Sequence, residues 1–231
     1  MILLDLLEFY KTSLKRIVLP RLGFLLPSTA KIFNLVKLDV GSDDNIGTMW
    51  TPSIGTEDLV KAFGQKKAFV FLTRVLLAEI AVQDLVSSPN YEALCFIGNG
   101  HAKRLLKKPI NESQLYWTRF WAARSLFYLG DDDASEWLIK AFNDEHWRVR
   151  MMAVQSLGRF GIDGREDDIV PLLVDEHKRV RTAAAIALGR IGNEFALEPL
   201  HNAYDDSVAE VRIKVDRAIA KVEKRIRQEE T

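Results

Sequence analysis

One interval constrains this chain more than any other feature of it. Arg119, Arg150, Arg181 and Arg212 stand 31 residues apart. Asp144, Asp175 and Asp206 keep the same interval, as do Val149, Val180 and Val211, and Leu126, Leu157, Leu188 and Ile219. A fixed period of roughly 20–50 residues marks stacked supersecondary units. A unit of this size cannot cover its own apolar face, so each must be covered by the next.

The pattern inside a unit is helical. Val149, Ala153, Leu157 and Phe160 follow one another at intervals of 4, 4 and 3, which is one face of a helix. These positions are the expected core, and Leu157→Ala should cost about 2–5 kcal/mol there. Small residues beside them (Ala122, Ala153, Ala183, Ala184) allow neighbouring helices close approach. Gly130, Gly161 and Gly192 fall where a left-handed C-terminal cap is expected. Each aspartate precedes a second helix and is expected to accept backbone N–H groups as its N-cap. The following arginine can reach an aspartate of its own or an adjacent unit. Asp144, Arg150, Asp175, Arg181, Asp206 and Arg212 therefore read as a structural ladder rather than an anion site, because the set recurs in every unit.

Composition narrows the class. The 32 basic residues balance the 32 acidic ones, so bulk charge gives no pull toward nucleic acid. The first 110 residues carry 14 basic against 10 acidic side chains, and the remainder 18 against 22. The single cysteine, Cys95, excludes an intrachain disulfide and fits a reducing, cytoplasmic setting. The apolar stretch Ala68 to Val86 is interrupted by Arg74, Glu79 and Asp84, so it reads as a buried helix and not a membrane span. The apolar start carries Asp5 and Glu8 and is a poor secretory signal.

Three regions follow. Residues 1–55 form an N-terminal helical segment and loop, with breaks at Pro20 and Pro27 and loop chemistry over 39–55. Residues 1–38 mix apolar side chains with six basic and two acidic ones. They read as a helical cap on the first repeat, with peripheral membrane contact as the alternative. Residues 56–111 are helical and less regular. Thr56 is expected to cap a helix opening with Glu57 and Asp58 and weakened by Gly64, and a long apolar helix is expected over about 66–86. Tyr91 to Ile97 reads as a short helix closed by Gly98 or Gly100, and His101 to Lys108 as a short basic one. Leu94 and Gly98 sit 32 residues before Leu126 and Gly130, which leaves this stretch open to reading as a degenerate repeat. Residues 112–231 are the array, ending in a charged capping helix.

The run Asp175…Val-Arg…Ala-Ala…Ala-Leu-Gly-x-Ile-Gly192, its copy from Asp144 to Gly161 and the looser copy from Asp206 to Val222 resemble HEAT-like repeats of the short, phycobilisome-lyase type. The unit ending at Gly130 matches only in its second helix. The resemblance covers about residues 112–222. It implies an all-α solenoid of paired antiparallel helices, with an irregular helical region before it. Members of that family include protein-binding scaffolds, bilin lyase subunits and a deoxyhypusine hydroxylase, so a lyase-like or hydroxylase-like enzyme or subunit stands as an alternative. The hydroxylase holds iron with His-Glu pairs. Here only the reversed Glu145-His146 and Glu176-His177 are present, and they read as turn residues, not metal ligands. HEAT-like DNA glycosylases invite comparison with Trp117, Trp121, Asp131 and Trp147, yet aromatics at helical spacing are more often core. No catalytic residue, metal or cofactor is assigned.

Removing the core leaves rows across the second helices. They are Trp117, Arg148, Arg179 and Glu210; Phe120, Met151, Thr182 and Ile213; Arg124, Gln155, Ile186 and Arg217; and Tyr128, Arg159, Arg190 and Lys221. In solenoids of the resembled family the second helices line the concave side. That side is expected to be basic and partly apolar, with acids such as Asp133, Glu136, Glu166 and Glu198 elsewhere. Trp117, Phe120, Arg124, Trp147, Arg148, Met151, Arg159, Arg179 and Arg190 are the expected partner-binding set. The fitting partner is another protein or an acidic peptide. Nucleic acid fits less well, because the array as a whole is acidic.

Overall fold

The computed structural model describes residues 51–229 apart from 108, 131, 132, 162 and 163, so the expectations for residues 1–50 lie outside the described residues. Every described element is a helix or a 3₁₀ turn. Four helices come before the regular array: α1 (Pro52–Phe63), α2 (Gln65–Leu76), α3 (Val82–Leu85) and α4 (Asn90–Leu105). The array's second helices are α5 (Tyr116–Leu129), α7 (Trp147–Phe160), α9 (Lys178–Ile191) and α11 (Ala209–Glu229). Its first helices are the short α6 (Ala134–Lys140), α8 (Glu166–Ile169) and α10 (Leu197–Asn202). Each first helix runs into a 3₁₀ turn, at Ala141–Asn143, Val170–Val174 and Ala203–Asp205.

The second helices α5, α7, α9 and α11 pack side by side in that order, and each first helix packs on the second helix of its own unit. The result is an α-solenoid. The repeated apolar side chains form its seam: Val149, Val180 and Val211 are all fully buried, as are Leu126, Leu157 and Leu188. Phe160, expected in the same core row, is only half-buried. Close approach of the helices rests on glycine. A Cβ on Gly158 would lie 2.6 Å from the Ala187 methyl and 2.9 Å from its Cα. Gly189 stands the same way against Ala218, 2.9 Å from its Cα.

The region before the array contributes a partner that the period does not announce. Helix α2 packs on α5 more extensively than any later first helix packs on its second, and it also touches α6. Helices α1 and α4 pack on each other and on α5. Helix α4 is one span interrupted at Asn99, whose backbone turns to φ 48° and ψ −138°.

Several local expectations are corrected. Thr56 caps nothing. Helix α1 starts earlier, at Pro52, whose fixed φ suits a first helical position, and the Thr51 hydroxyl accepts from the Ile54 N–H at 3.3 Å. Thr56 is buried and donates to the Pro52 carbonyl at 3.0 Å. The apolar stretch of 66–86 is two helices, because the chain turns after Leu76 through Ala78 at φ 55°. Gly130 and Gly161 take the left-handed cap (φ 67° and 68°) but Gly192 is extended (φ −63°, ψ 141°). Gly192 is glycine for lack of room, since a Cβ there would run into the Leu188 carbonyl oxygen. Among the described residues no helix is long and apolar enough to cross a membrane.

Candidate functional site

Each of the two middle units opens its second helix with Arg-Val-Arg. Helical residues two apart project about 200° from one another, so the two arginines leave on different sides.

The second arginine joins units. Arg150 donates through Nε to Asp175 Oδ2 at 2.7 Å and through Nη2 to Asp175 Oδ1 at 2.9 Å and Glu176 Oε1 at 3.0 Å. Its Nη1 donates back to the Asp144 and Glu145 carbonyls at 2.9 and 3.2 Å. Arg181 repeats this with Asp206 at 2.6 and 3.1 Å, and Arg119 with Asp144 at 2.7 and 3.1 Å. Every pairing runs forward to the next unit. The hydrogen bonds to Asp175 hold the Arg150 guanidinium above its ordinary pKa, and those from Arg181 hold Asp206 below the usual carboxylate value. Arg212, the last of the series, donates to the Asp206 carbonyl at 2.7 Å and is exposed.

The aspartates are not the N-caps expected of them. Asp144 Oδ1 accepts from the His146 N–H at 2.8 Å, and Asp175 accepts likewise from His177 at 2.8 Å. The caps are the histidines. His146 Nδ1 accepts from the Arg148 N–H at 3.2 Å, and His177 Nδ1 from the Arg179 N–H at 3.3 Å. Glu145 and Glu176 pair with Arg119 and Arg150, so the two Glu-His dipeptides are engaged in the turns. Among the described residues no group of three or more His, Cys, Asp or Glu could hold a metal ion.

The first arginine faces outward onto aromatics. The Arg148 guanidinium lies 4.3 Å from the Trp147 ring centre, 5.6 Å from Tyr116 and 5.7 Å from Trp117. Arg179 lies 5.6 Å from the Trp147 ring. The rings are themselves fixed. Tyr116 stacks on His146 at 3.4 Å and Trp147 on His177 at 3.8 Å, within about 5° of parallel, in equivalent positions of two units. Trp117 packs edge-on against His101 at 4.9 Å and Phe120 at 5.2 Å. Burial, followed by the Arg148 charge, lowers the His146 pKa, and burial lowers that of His177. Both shifts favour the neutral imidazole, the form whose Nδ1 can accept the capping hydrogen bond.

Three turns further along each helix a second pair stands on the same side. Arg159 lies 5.3 Å from the Phe127 ring and Arg190 is exposed. Among the described residues none of Arg148, Arg159, Arg179 and Arg190 has a carboxylate partner. Met151 is half-buried between the two pairs.

Two expected members of the set sit elsewhere. Phe120 is only 5% exposed, because α1, α2 and α4 pack on α5. Arg124 turns toward α4 and donates to the Ile97 carbonyl at 2.9 Å. Sequence reasoning also passed over Tyr116, His146 and His177 as parts of the site. Their signal was present, since Tyr116 and Trp147, and His146 and His177, are 31 residues apart.

Residues 104–168 and 165–220 match the family model described as HEAT repeats. Among solved structures the chain is similar to an engineered protein known from a crystal structure, at 19% identity over 75% of this chain and 87% of that chain, with a TM-score of 0.41. No curated protein matches the chain.

Proposed function

This chain belongs to the HEAT-repeat family, and on that premise we propose that it is a protein-interaction scaffold whose outward second-helix face takes an acidic, partly apolar surface of another protein. Solenoids of stacked helix pairs present extended faces suited to such contacts. The observation that carries the reading is the contrast within Arg-Val-Arg. The ladder arginines are satisfied by carboxylates, whereas Arg148, Arg159, Arg179 and Arg190 share one face with no acid among the described residues to neutralise them. Trp117, Trp147 and Met151 supply apolar surface beside them. Phe120 and Arg124 are left out, being buried and turned away respectively.

The finer assignments belong to the same reading. The 31-residue unit and the Asp…Val-Arg…Ala-Leu-Gly copies support the short, phycobilisome-lyase type of repeat. In this reading the array spans residues 112–231, and 56–111 is a less regular helical region that lends α2 to the first unit. A cytoplasmic setting rests on the single cysteine.

The test is charge reversal. Arg159→Glu combined with Arg190→Glu should leave the helical signal and the unfolding midpoint in place and abolish capture of partner proteins from a host extract. Undiminished capture by the folded variant would contradict the assignment.

A further inference from the structure

The geometry of the outward face narrows the partner's shape, and this step rests on the function just proposed. Eleven residues separate Arg148 from Arg159, and Arg179 from Arg190. At about 1.5 Å per residue each pair spans about 16 Å along its helix. Adjacent second helices lie roughly 8–10 Å apart. The four arginines therefore form two rails that run across the repeats, with Arg148 and Arg179 in one and Arg159 and Arg190 in the other. Lys221 holds the next place in the second rail, whereas the exposed Glu210 holds the next place in the first and ends its basic run. Between the four arginines the floor carries no formal charge, and Arg124 and Arg217 hold the equivalent places in the outer units. Met151, Gln155, Thr182 and Ile186 line it, all half-buried.

A helix is about 10–12 Å across with its side chains, which leaves about 2–3 Å on each flank between the rails, the length of a charge-assisted hydrogen bond. The step along the rails agrees as well. Residues seven apart on a helix rise about 10.5 Å, close to the separation of successive second helices. Flanking acids at i and i+7 would meet Arg148 and then Arg179 without a break in register.

We propose that this face is a groove for one amphipathic helix of a partner protein, lying across the repeats with an apolar stripe on the floor and acidic residues at seven-residue intervals on both flanks. The recognition mode is helix-in-groove, with charge setting direction and register. The rails are held in place beforehand. Trp147, stacked on His177, supports Arg148 and Arg179, and Phe127 supports Arg159. Among the described residues no carboxylate forms an ion pair with them.

The test uses the whole chain and three fluorescent probes of similar length. The first is a roughly 20-residue helical peptide with a Leu/Ala stripe and Glu every seven residues on both flanks. The second has the same composition with all its Glu on one flank. The third is a duplex DNA oligonucleotide. Anisotropy titrations should show the two-flank peptide binding at least about tenfold tighter than the other two. Arg148→Glu and Arg190→Glu, each verified as folded by circular dichroism, should each abolish that preference. Equal affinity for the two peptides would overturn the groove, and so would tighter binding of DNA. If Arg159→Glu/Arg190→Glu loses partner capture while the two peptides bind equally, the helix is refuted and the interaction face stands.

Discussion

Arg148 and Arg150 leave the same helix two residues apart and meet opposite surroundings. Arg150 is 7% exposed and inserted between two units, with every donor group directed at a carboxylate or carbonyl. Arg148 lies on a bed of aromatic rings and has no acid within reach among the described residues. The same contrast recurs one unit later in Arg181 and Arg179. Repetition alone does not distinguish structure from function here, since both columns repeat. What distinguishes them is whether the chain supplies the partner. A charge that the fold satisfies is part of the fold. A charge that it fixes in place and leaves unsatisfied is available to something else.

The comparison breaks most visibly at the seam. Asp175→Ala strips the carboxylate from Arg150 and leaves a buried guanidinium with only carbonyls and Glu176. The expected loss is about 3–5 kcal/mol in urea unfolding. Leu157→Ala, at a fully buried position of the same seam, should cost about 2–5 kcal/mol, with its size set by how far the cavity collapses. A loss near zero for Asp175→Ala would make the ladder ornamental and remove one side of the contrast.

How the ladder is wired was only partly legible. The interval identified which residues belong to it, and hydrophobic spacing identified the buried seam. Direction was not available, because Arg150 follows Asp144 by six residues and precedes Asp175 by 25, and only the offset between stacked helices decides between them. The cap was misassigned for a related reason. Aspartate is the common capping residue, but here its side chain is taken up by the arginine of the preceding unit and by the next-but-one N–H, and the imidazole does the capping. Phe120 occupies the position equivalent to Met151 and Thr182, which are half-buried. It is covered because α1, α2 and α4 follow no 31-residue rule and still pack on the first unit.

Those imidazoles sharpen the comparison, since they sit between the two columns and touch both. The pKa values of His146 and His177 are lowered in the folded chain, by burial first. The unfolded chain therefore binds more protons as pH falls through the ordinary histidine value near about 6.5. Their contribution to stability is complete above that value and is lost as pH falls through the lowered folded values. Urea midpoints should drop between pH 7.5 and pH 5. Replacing both histidines with Asn, which caps without titrating in this range, should flatten that drop. An unchanged slope in the Asn variant would place the pH dependence in other groups.

The smallest stability effect is expected on the open face. Arg148→Ala gives up cation–π contact worth roughly 0.5–1 kcal/mol and relieves the crowding of charge around it. Its unfolding midpoint should stay close to that of the parent, and its binding should not.

The most direct measurement sets the two neighbours against each other. Arg148→Ala and Arg150→Ala are each assayed for urea unfolding and for affinity toward the two-flank acidic peptide. Arg150→Ala should lower stability by at least about 2 kcal/mol and, while folded, bind as the parent does. Arg148→Ala should unfold within about 0.5 kcal/mol of the parent and bind at least about tenfold more weakly. Equal losses of stability in the two variants, or undiminished binding by Arg148→Ala, would contradict the account.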